Sequence, residues 1–233
     1  MSLSPLPAAT RVGDQAYAAL HAAIVDGTYQ GGRRLQIRDL AAELGISVMP
    51  VREAITRLEE DGLVETRPRR GAVVRSFSPA ELLDIYDVRR VLEVRATELG
   101  VAALGGDAEE GDDAGKAAVT AGGLEPLYDR MLDALGRGDV LGHLTADEEL
   151  LSAVYEASAN KVLCESIRSL WAQCRHYKIV GVREELESRT PAGILTHQRQ
   201  LIDAVAAGHA CAAARVTEAS LTSAMERIRG ALG

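Results

Sequence analysis

The chain has 233 residues, of which 47% are hydrophobic and only 3% aromatic, and its formal net charge is −8. This length allows one large or two modest domains, and cores built from Ala, Leu, Val and Ile favour close-packed helices over a sheet sandwich. No apolar run reaches the roughly 18 residues that span a bilayer, and the opening MSLSPLPAATRVGD lacks the apolar stretch of a signal peptide. We therefore expect a cytoplasmic protein with no membrane partner.

The cysteines are few and widely spaced. Cys164, Cys174 and Cys211 are an odd number and include no C-x-x-C pair. This pattern fits neither a disulfide framework nor a zinc knuckle. It predicts three small, buried hydrophobic side chains.

Positive charge is concentrated in the first third of the chain. Residues 1–76 carry ten arginines, no lysine and nine acidic residues, whereas residues 77–233 carry 16 basic and 25 acidic residues. Four of the arginines lie close together between residues 67 and 75. Such a cluster indicates contact with phosphate groups, although a solvated hairpin tip would carry the same charges.

The first part predicts three short helices followed by a hairpin. Apolar residues at helical spacing in QAYAALHAAIVDG and LQIRDLAAELG end at Gly27 and Gly45. Ser47 can cap a third helix, VMPVREAITRLEEDG, where Pro50 is tolerated because first-turn N–H groups have no intrahelical partner. The strand-like runs LVETR and AVVRSF then flank PRRG. This order predicts a helix-turn-helix with a β-wing.

These residues resemble a known family. The stretch GTYQGGRRLQIRDLAAELGISVMPVREAITRLEEDGLVETRPRRGAVV is similar to the winged helix of the GntR transcriptional regulators, with an L-A-x-x-L-G helix, P-V-R-E-A, L-x-x-D-G-L-V and a basic wing. The following SPAELLDIYDVRRVLEVRATELG resembles the first helix of the FadR-type effector domain, the all-helical FCD class. The resemblance implies a mainly α protein, with a winged helix-turn-helix over residues 10–76 and an effector-binding, dimerising bundle over residues 77–233.

The resemblance also implies which residues contact DNA. A recognition helix enters the major groove by its N-terminal end, and a glycine-containing wing approaches the minor groove. The expected contacts are Arg38, Ser47, Val48, Met49 and Arg52 in the helices and Arg67, Arg69, Arg70 and Gly71 in the wing. Arg52 is the strongest candidate for a bidentate guanine contact. Val48 and Met49 replace residues that are usually polar in the family, which predicts an unusual operator, while Arg57 is expected to be a solvated surface charge.

The second part predicts a helical bundle. SPAE at residues 78–81 forms a capping box with proline at the first helical position, and the helix that follows continues to Gly105 with its apolar side chains Leu82, Leu83, Ile85, Val88, Leu92 and Leu99 on one face. The acidic, glycine-rich stretch over residues 105–123 predicts a mobile loop or a frayed helix. Further helices are predicted at about 124–136, 139–159, 161–180, 191–207 and 209–230, with Thr190 and Pro191 as a cap.

Many FCD proteins hold a metal ion through one Asp and three His, but this chain does not keep that set. Alignment puts Asp147 at the aspartate and Leu151, Gln198 and Ser220 at the three histidine positions. These three residues are poor ligands for a transition metal, so we predict no metal ion and no other cofactor. An alignment shifted by one residue would instead make His197 a ligand. The remaining His143, His176 and His209 are expected at the surface or in polar networks.

Without a metal ion, a carboxylate in an apolar cavity needs another countercharge. Arg89 matches the family arginine that faces the pocket, and Arg175, one turn after Trp171, is a second candidate. The predicted effector residues are Arg89, Asp147, Leu151, Arg175, Gln198 and Ser220. A structural pair between Arg89 and Asp147 is the alternative to a binding role.

Together these features predict a homodimeric, DNA-binding transcriptional regulator. Its expected action is repression at a pseudo-palindromic, double-stranded DNA operator. Its effector is expected to be a small molecule of the organic acid class. The alternative is an effector-blind repressor with a closed pocket. An enzyme is not predicted, because H-E-x-x-H, G-x-S-x-G and a Cys–His arrangement with a credible context are all missing from the sequence.

Overall fold

The computed structural model describes residues 12–105, 121–187 and 195–230, and the chain divides into two compact units, Met1–Ser76 and Phe77–Gly233. The described elements are mainly helical, with a single two-stranded sheet in the part that the structure describes. The predicted fold class is therefore confirmed. None of the described helices is long and apolar enough to cross a membrane.

The N-terminal unit contains three helices, α1 (Val12–Val25), α2 (Ile37–Leu44) and α3 (Val48–Glu60). The helices bury one apolar face each, formed by Ala16, Leu20, Ile24, Leu40, Ala41, Val51, Ala54, Ile55 and Leu58. Two polar contacts add to this core, since Tyr17 donates to Asp61 at 2.6 Å and Tyr29 donates to Glu43 at 3.2 Å. The result is a small helical core that leaves the N-terminal ends of α2 and α3 free to carry polar contacts.

A tight turn joins α2 to α3. Gly45 ends α2 in the left-handed conformation, with φ +66°, and its N–H points to the carbonyl oxygens of Ala41 and Ala42, which is the usual end of a helix. Ser47 occupies the N-cap of α3 with extended backbone angles, but its side chain makes no capping hydrogen bond. The predicted capping role of this hydroxyl is therefore wrong in the structure, and the hydroxyl remains exposed.

The wing is an antiparallel hairpin of β1 (Val64–Arg67) and β2 (Gly71–Val74), in register from Val64 opposite Val74 to Arg67 opposite Gly71. On its other side, β2 pairs with the segment after α1, where Leu35 N–H donates to the carbonyl of Ala72 at 2.8 Å. Val73 and Val74 are buried. The hairpin base is thus fixed to the helical core, whereas its tip, residues 68–70, projects as a turn.

The C-terminal unit is all-helical over the residues described. It contains α4 (Pro79–Gly105), α5 (Ala121–Gly136), α6 (Val140–Glu156), α7 (Lys161–Glu187), α8 (Thr196–Ala206) and α9 (Ala210–Gly230). Helix α4 packs against α6, α7 and α9, and α5 packs against α6 and α8. Its main core includes Leu124, Met131, Leu150, Ile167 and Ile202.

Helix α4 begins as predicted. Ser78 and Glu81 form the reciprocal capping box, with Ser78 N–H donating to Glu81 at 2.8 Å and Glu81 N–H donating to Ser78 Oγ at 3.3 Å. The predicted apolar face is wrong at Val88, which is 49% exposed. Val91, one turn further on, is 67% exposed. Helix α4 therefore presents an apolar strip on its outer side as well as on its buried side.

Other boundaries differ from the prediction in modest ways. Helix α7 continues through Gly181 to Glu187, because one glycine inside a helix costs only about 1 kcal/mol. Helix α5 begins at Ala121, before the predicted residue 124. The rest of the predicted loop, and the predicted cap at Thr190 and Pro191, lie outside the described residues. Two cysteines are buried as predicted, Cys164 and Cys174, but Cys211 is exposed, and all three are free thiols.

Candidate functional site

Four of the five arginines predicted to contact DNA have exposed side chains that are free of other contacts within the described part of the chain. Arg38 lies in the first turn of α2 and Arg52 in the second turn of α3, while Arg69 and Arg70 form the tip of the wing. Among the residues that the structure describes, none of these four side chains has a hydrogen-bond or ion-pair partner. Free guanidinium groups of this kind can bind phosphate oxygens or base edges.

The start of α3 offers apolar surface next to Arg52. Val48 is 38% exposed and Met49 is 62% exposed, and Ser47 beside them is also exposed. An exposed apolar pair at the N-terminal end of a helix can contact a thymine methyl group but cannot form hydrogen bonds. The N-cap and first turn of α3 thus combine one hydroxyl with two apolar side chains.

The wing tip is a turn with an unusual residue at its centre. The N–H of Arg70 donates to the carbonyl of Arg67 at 3.1 Å, and Arg69 between them has φ +64°. Arg67 itself is bound to Glu65, with Nε 2.7 Å from Oε1. Gly71 has φ +70° and its missing Cβ would meet nothing within 4 Å. Of the predicted wing contacts, Arg69 and Arg70 are therefore free, while Arg67 is partly neutralised.

Arg57 differs from Arg52, the other arginine of α3. Its guanidinium pairs with Asp14 at 2.7 Å and lies 4.1 Å from the ring centroid of Tyr17. It is still about half exposed, but these contacts tie α3 to α1. The prediction of a solvated surface charge is thus incomplete, and the residue has an internal structural role.

A cavity of about 850 Å³ lies inside the C-terminal unit. Its wall is formed by α4, α6, α7, α8 and α9 together with Phe77. Five of the six predicted effector residues line it, namely Arg89, Asp147, Leu151, Gln198 and Ser220. The sixth, Arg175, is absent from the lining and pairs with Glu148, while its other nitrogen donates to Thr145 at 2.9 Å.

Arg89 lies in a buried polar network. Its Nε donates to Glu93 Oε1 at 2.7 Å, and Glu93 also accepts from Trp171 Nε1 at 2.9 Å and from the hydroxyl of Tyr155 at 3.0 Å. Burial opposes the charge of Arg89, but Glu93 holds the pKa of the guanidinium well above its ordinary value. Burial and Glu93 likewise raise the pKa of the Tyr155 hydroxyl. Arg89 is therefore a permanently charged group with a fixed partner.

Asp147 has different partners. Lys178 Nζ donates to its Oδ2 at 3.2 Å, and Gln198 Nε2 donates to its Oδ1 at 2.9 Å. Burial alone would raise the pKa of Asp147, but Lys178 and Gln198 bring it below its ordinary value. Burial would in turn lower the pKa of Lys178, but Asp147 raises it. Both groups are charged at neutral pH, and the alternative pair between Arg89 and Asp147 does not form.

The residues at the family's metal positions do not fit a metal ion. Asp147 has an ammonium on one carboxylate oxygen and an amide on the other, and Leu151 has no donor atom. Gln198, not its neighbour His197, binds Asp147, although His197 also lines the cavity. In the part of the chain that the structure describes, no group of three His, Cys, Asp or Glu side chains is arranged to hold a metal ion.

The other histidines are placed as follows. His143 is almost fully buried in the cavity wall, with Nδ1 3.4 Å from the carbonyl of Met131. His176 also lines the cavity, packed edge-on against Tyr177 at 5.8 Å between centroids. His209 is exposed. Only His209 is thus a surface residue.

Sequence reasoning missed Glu93 and Lys178. Glu93 is four residues after Arg89 on α4, a spacing that places both on one helix face. Lys178 is seven residues after Trp171, and this spacing also places both residues on one helix face. The Nζ of Lys178 lies 5.9 Å from the indole centroid of Trp171. The i, i+7 spacing from Trp171 could therefore have indicated Lys178 as a cavity residue. The i, i+4 spacing from Trp171 indicated Arg175 equally well.

Comparison with known proteins gives two matches to family models. Residues 12–74 match the bacterial regulatory proteins of the gntR family. Residues 84–223 match the FCD domain, which is more than half of the chain. The two matches fall within the two compact units, one in each.

Several relatives are transcriptional regulators. An uncharacterised HTH-type regulator from the TAR-I ttuE-ttuC' intergenic region of Agrobacterium vitis is 32% identical over 145 residues, covering 62% of this chain and 79% of the relative. The regulator McbR of Escherichia coli is 28% identical over 171 residues, covering 73% and 70%. The Escherichia coli repressor GlaR is 36% identical over 94 residues, covering 40% and 42%.

Two solved structures share the fold. Escherichia coli McbR/YncC matches with a TM-score of 0.76 at 22% identity, covering 97% of this chain and 100% of the other. A GntR regulator from Rhodococcus sp. RHA1 matches with a TM-score of 0.75 at 29% identity, covering 94% and 98%. Because its sequence identity is only 22%, the first match supports the fold alone.

Proposed function

Because this chain belongs to the gntR family of bacterial regulatory proteins and carries an FCD domain, we propose that it is a repressor whose affinity for its operator is changed by a small organic acid. DNA binding and transcriptional regulation follow from the family itself. Repression, the effector and the dimer are the further parts of the proposal. The relative GlaR, whose match covers 40% of this chain, is named as a transcriptional repressor, and this supports repression.

The exposed, unpaired arginines carry the DNA-binding part of the proposal. Arg38 and Arg52 lie near the N-terminal ends of α2 and α3, where a major-groove reader makes its contacts. Arg69 and Arg70 at the wing tip supply phosphate or minor-groove contacts. Arg52 is the base-reading residue in this proposal, while Val48 and Met49 favour a thymine in the operator.

A strip on α4 supports a homodimer. Val88 and Val91 are exposed, with Asp84 one turn before them and Arg95 one turn after them. If two copies of α4 pack antiparallel about a two-fold axis between the valines, Val88 meets the partner subunit's Val91 and Asp84 meets the partner subunit's Arg95. The strip is thus complementary to itself in both apolar contact and charge, which a two-fold interface requires.

The cavity supports an effector over the effector-blind alternative. A volume of about 850 Å³ falls within the range of about 300–1,000 Å³ that is usual for small-molecule sites. Its wall combines apolar side chains with cationic ones, among them Arg89 and Lys178. A closed or vestigial pocket would have filled this space with side chains.

The proposal can be tested with operator DNA selected from a random library. Binding should weaken steeply as salt rises, because each phosphate contact contributes about 0.9 to the slope of log K against log salt. Arg52→Ala should lose most of the sequence preference, whereas Arg57→Ala should keep it. A reporter with the selected site across its promoter should be repressed, and organic acids should change that repression. Activation of the reporter, or a flat salt response, would contradict the proposal.

A further inference from the structure

The cavity holds an ammonium group where the family places a metal ion. Asp147 keeps the one carboxylate of the family's ligand set, and Lys178 Nζ lies 3.2 Å from its Oδ2. Gln198, which replaces a histidine, donates its amide to the other oxygen at 2.9 Å. The carboxylate that would bind a metal ion is therefore already satisfied by this chain's own donors.

Lys178 is also able to reach a ligand. Its side chain is 16% exposed and lines the cavity, whereas that of Arg89 is only 3% exposed. An ammonium has three donor hydrogens, and Asp147 is the one hydrogen-bond partner of Lys178 among the described residues. The remaining hydrogens are available to an anionic group placed against the wall.

The charges of the wall limit what that anionic group can be. Among the described residues, the charged side chains of the wall are Arg89, Lys178 and Arg227 against Glu93 and Asp147, so one added carboxylate balances the charge of the wall. A second buried negative charge would have no matching cation and would be very costly. The rest of the wall is largely apolar and includes Phe77, Leu82, Leu144, Leu151, Leu221 and Ile228.

We infer that the effector is a monocarboxylate with an apolar body, held without a metal ion by the ammonium of Lys178. This inference rests on the proposed effector function, because it names the ligand class and the anchoring residue of that same cavity. Asp147 acts as a positioning residue: it fixes the side chain of Lys178 and competes with the ligand for the ammonium. Glu148 also raises the pKa of Lys178, so the ammonium stays charged when Asp147 is neutralised.

Calorimetric titration of the full, tag-free chain tests the ligand class. The probes are octanoate, its neutral amide octanamide and the dianion octanedioate, each with and without EDTA. Octanoate should bind, with at least tenfold weaker binding of the other two, and EDTA should change nothing. Loss of octanoate binding in EDTA, equal binding of octanamide, or preferred binding of octanedioate would each overturn the inference.

A substitution at Asp147 separates the two kinds of site by the sign of its effect. If Asp147 were a metal ligand, Asp147→Asn would weaken binding, whereas removal of a competing anion from Lys178 should strengthen octanoate binding by about tenfold, or about 1.4 kcal/mol. Asp203→Asn, which removes an exposed carboxylate on α8, is the matched control and should change nothing. A weaker affinity of Asp147→Asn for octanoate would overturn the inference.

The role of Lys178 is tested in a charge-balanced background. Lys178→Met alone leaves Asp147 buried without a countercharge and is expected to destabilise the unit, so the double variant Lys178→Met/Asp147→Asn is the informative protein. It should fold and lose octanoate binding, and retained binding would overturn the inference. A chain that binds no acid but still binds operator DNA would end this inference and leave the DNA-binding proposal intact.

Discussion

The guanidinium of Arg89 lies 2.7 Å from Glu93 in a site where both side chains are almost fully buried. Removing one partner of such a pair leaves an uncompensated charge, so Arg89→Met should lower the free energy of unfolding by about 3–5 kcal/mol. The double variant Arg89→Met/Glu93→Gln should recover most of that loss. Trp171 and Tyr155 donate to different oxygens of Glu93, so the glutamine oxygen can still accept from Trp171 while its NH2 group donates to the hydroxyl oxygen of Tyr155.

Trp171 provides the measurement. It is the only tryptophan of the chain, and its indole donates directly to Glu93, so its fluorescence during urea unfolding reports on the C-terminal unit. Equal destabilisation of the single and double variants would show that the buried charge of Glu93 is not the cause.

A second prediction concerns the close approach of α4 to α6. A Cβ at Gly100 would overlap the carbonyl oxygen of Val154, and a backbone atom cannot move aside cheaply. Gly100→Ala should therefore destabilise the unit by about 1–3 kcal/mol. Gly136→Ala is the control, because nothing lies within 4 Å of its Cβ position, and it should be neutral or stabilise by up to about 1 kcal/mol. Urea unfolding followed by Trp171 fluorescence measures both, and equal stabilities would contradict the prediction.

A third prediction concerns the titration of Tyr17. Burial and the hydrogen bond to Asp61 raise the pKa of its hydroxyl from 10.0 to about 12. Because the folded pKa lies above the unfolded value, this hydroxyl's contribution to stability is complete below about pH 10 and is lost as the pH rises towards 12.

Difference absorbance at 295 nm, wild type minus Tyr17→Phe, isolates the tyrosinate of this residue across the alkaline range. Its midpoint should lie well above 10. A midpoint near 10 would mean that the contact with Asp61 is not formed in solution.

Local pattern was enough to predict most elements, and it failed where tertiary contacts decide. The turn at Gly45 and the capping box at Ser78 follow from short-range chemistry, and both occur as predicted. Helical periodicity placed Arg175 near the cavity, but Arg175 pairs with Glu148 instead. Lys178, on a long and flexible side chain, reaches Asp147 from another helix, and no spacing within one helix could have predicted that partner. Val88 is exposed, against the prediction, because periodicity counts apolar residues but cannot tell a buried apolar position from an exposed one.

The exposed strip on α4 that we propose as a dimer interface leads to a fourth prediction. Val88→Asp should place one carboxylate from each subunit close to the axis in place of an apolar contact, and like charges across an interface are strongly unfavourable. Sedimentation velocity should show a dimer for the wild type and a monomer for Val88→Asp. Val162→Asp is the control, since Val162 is 74% exposed on α7, outside the strip. A dimeric Val88→Asp variant would place the interface elsewhere.

The wing tip gives the last prediction, on Arg69. Its φ of +64° is a left-handed conformation that costs a residue with a Cβ about 1–2 kcal/mol and that glycine adopts readily at the third position of such a turn. Arg69→Gly should leave the free energy of unfolding within about 1 kcal/mol of wild type, because relief of that strain offsets the greater freedom of glycine in the unfolded chain.

If the side chain of Arg69 contacts a phosphate, Arg69→Gly should also weaken operator binding and reduce the slope of log K against log salt by about 0.9 per subunit. Arg57→Ala removes an arginine that is already paired with Asp14, so its salt slope should match the wild type. Fluorescence anisotropy with labelled operator at several salt concentrations measures both slopes, and an unchanged slope in Arg69→Gly would remove this residue from the DNA interface.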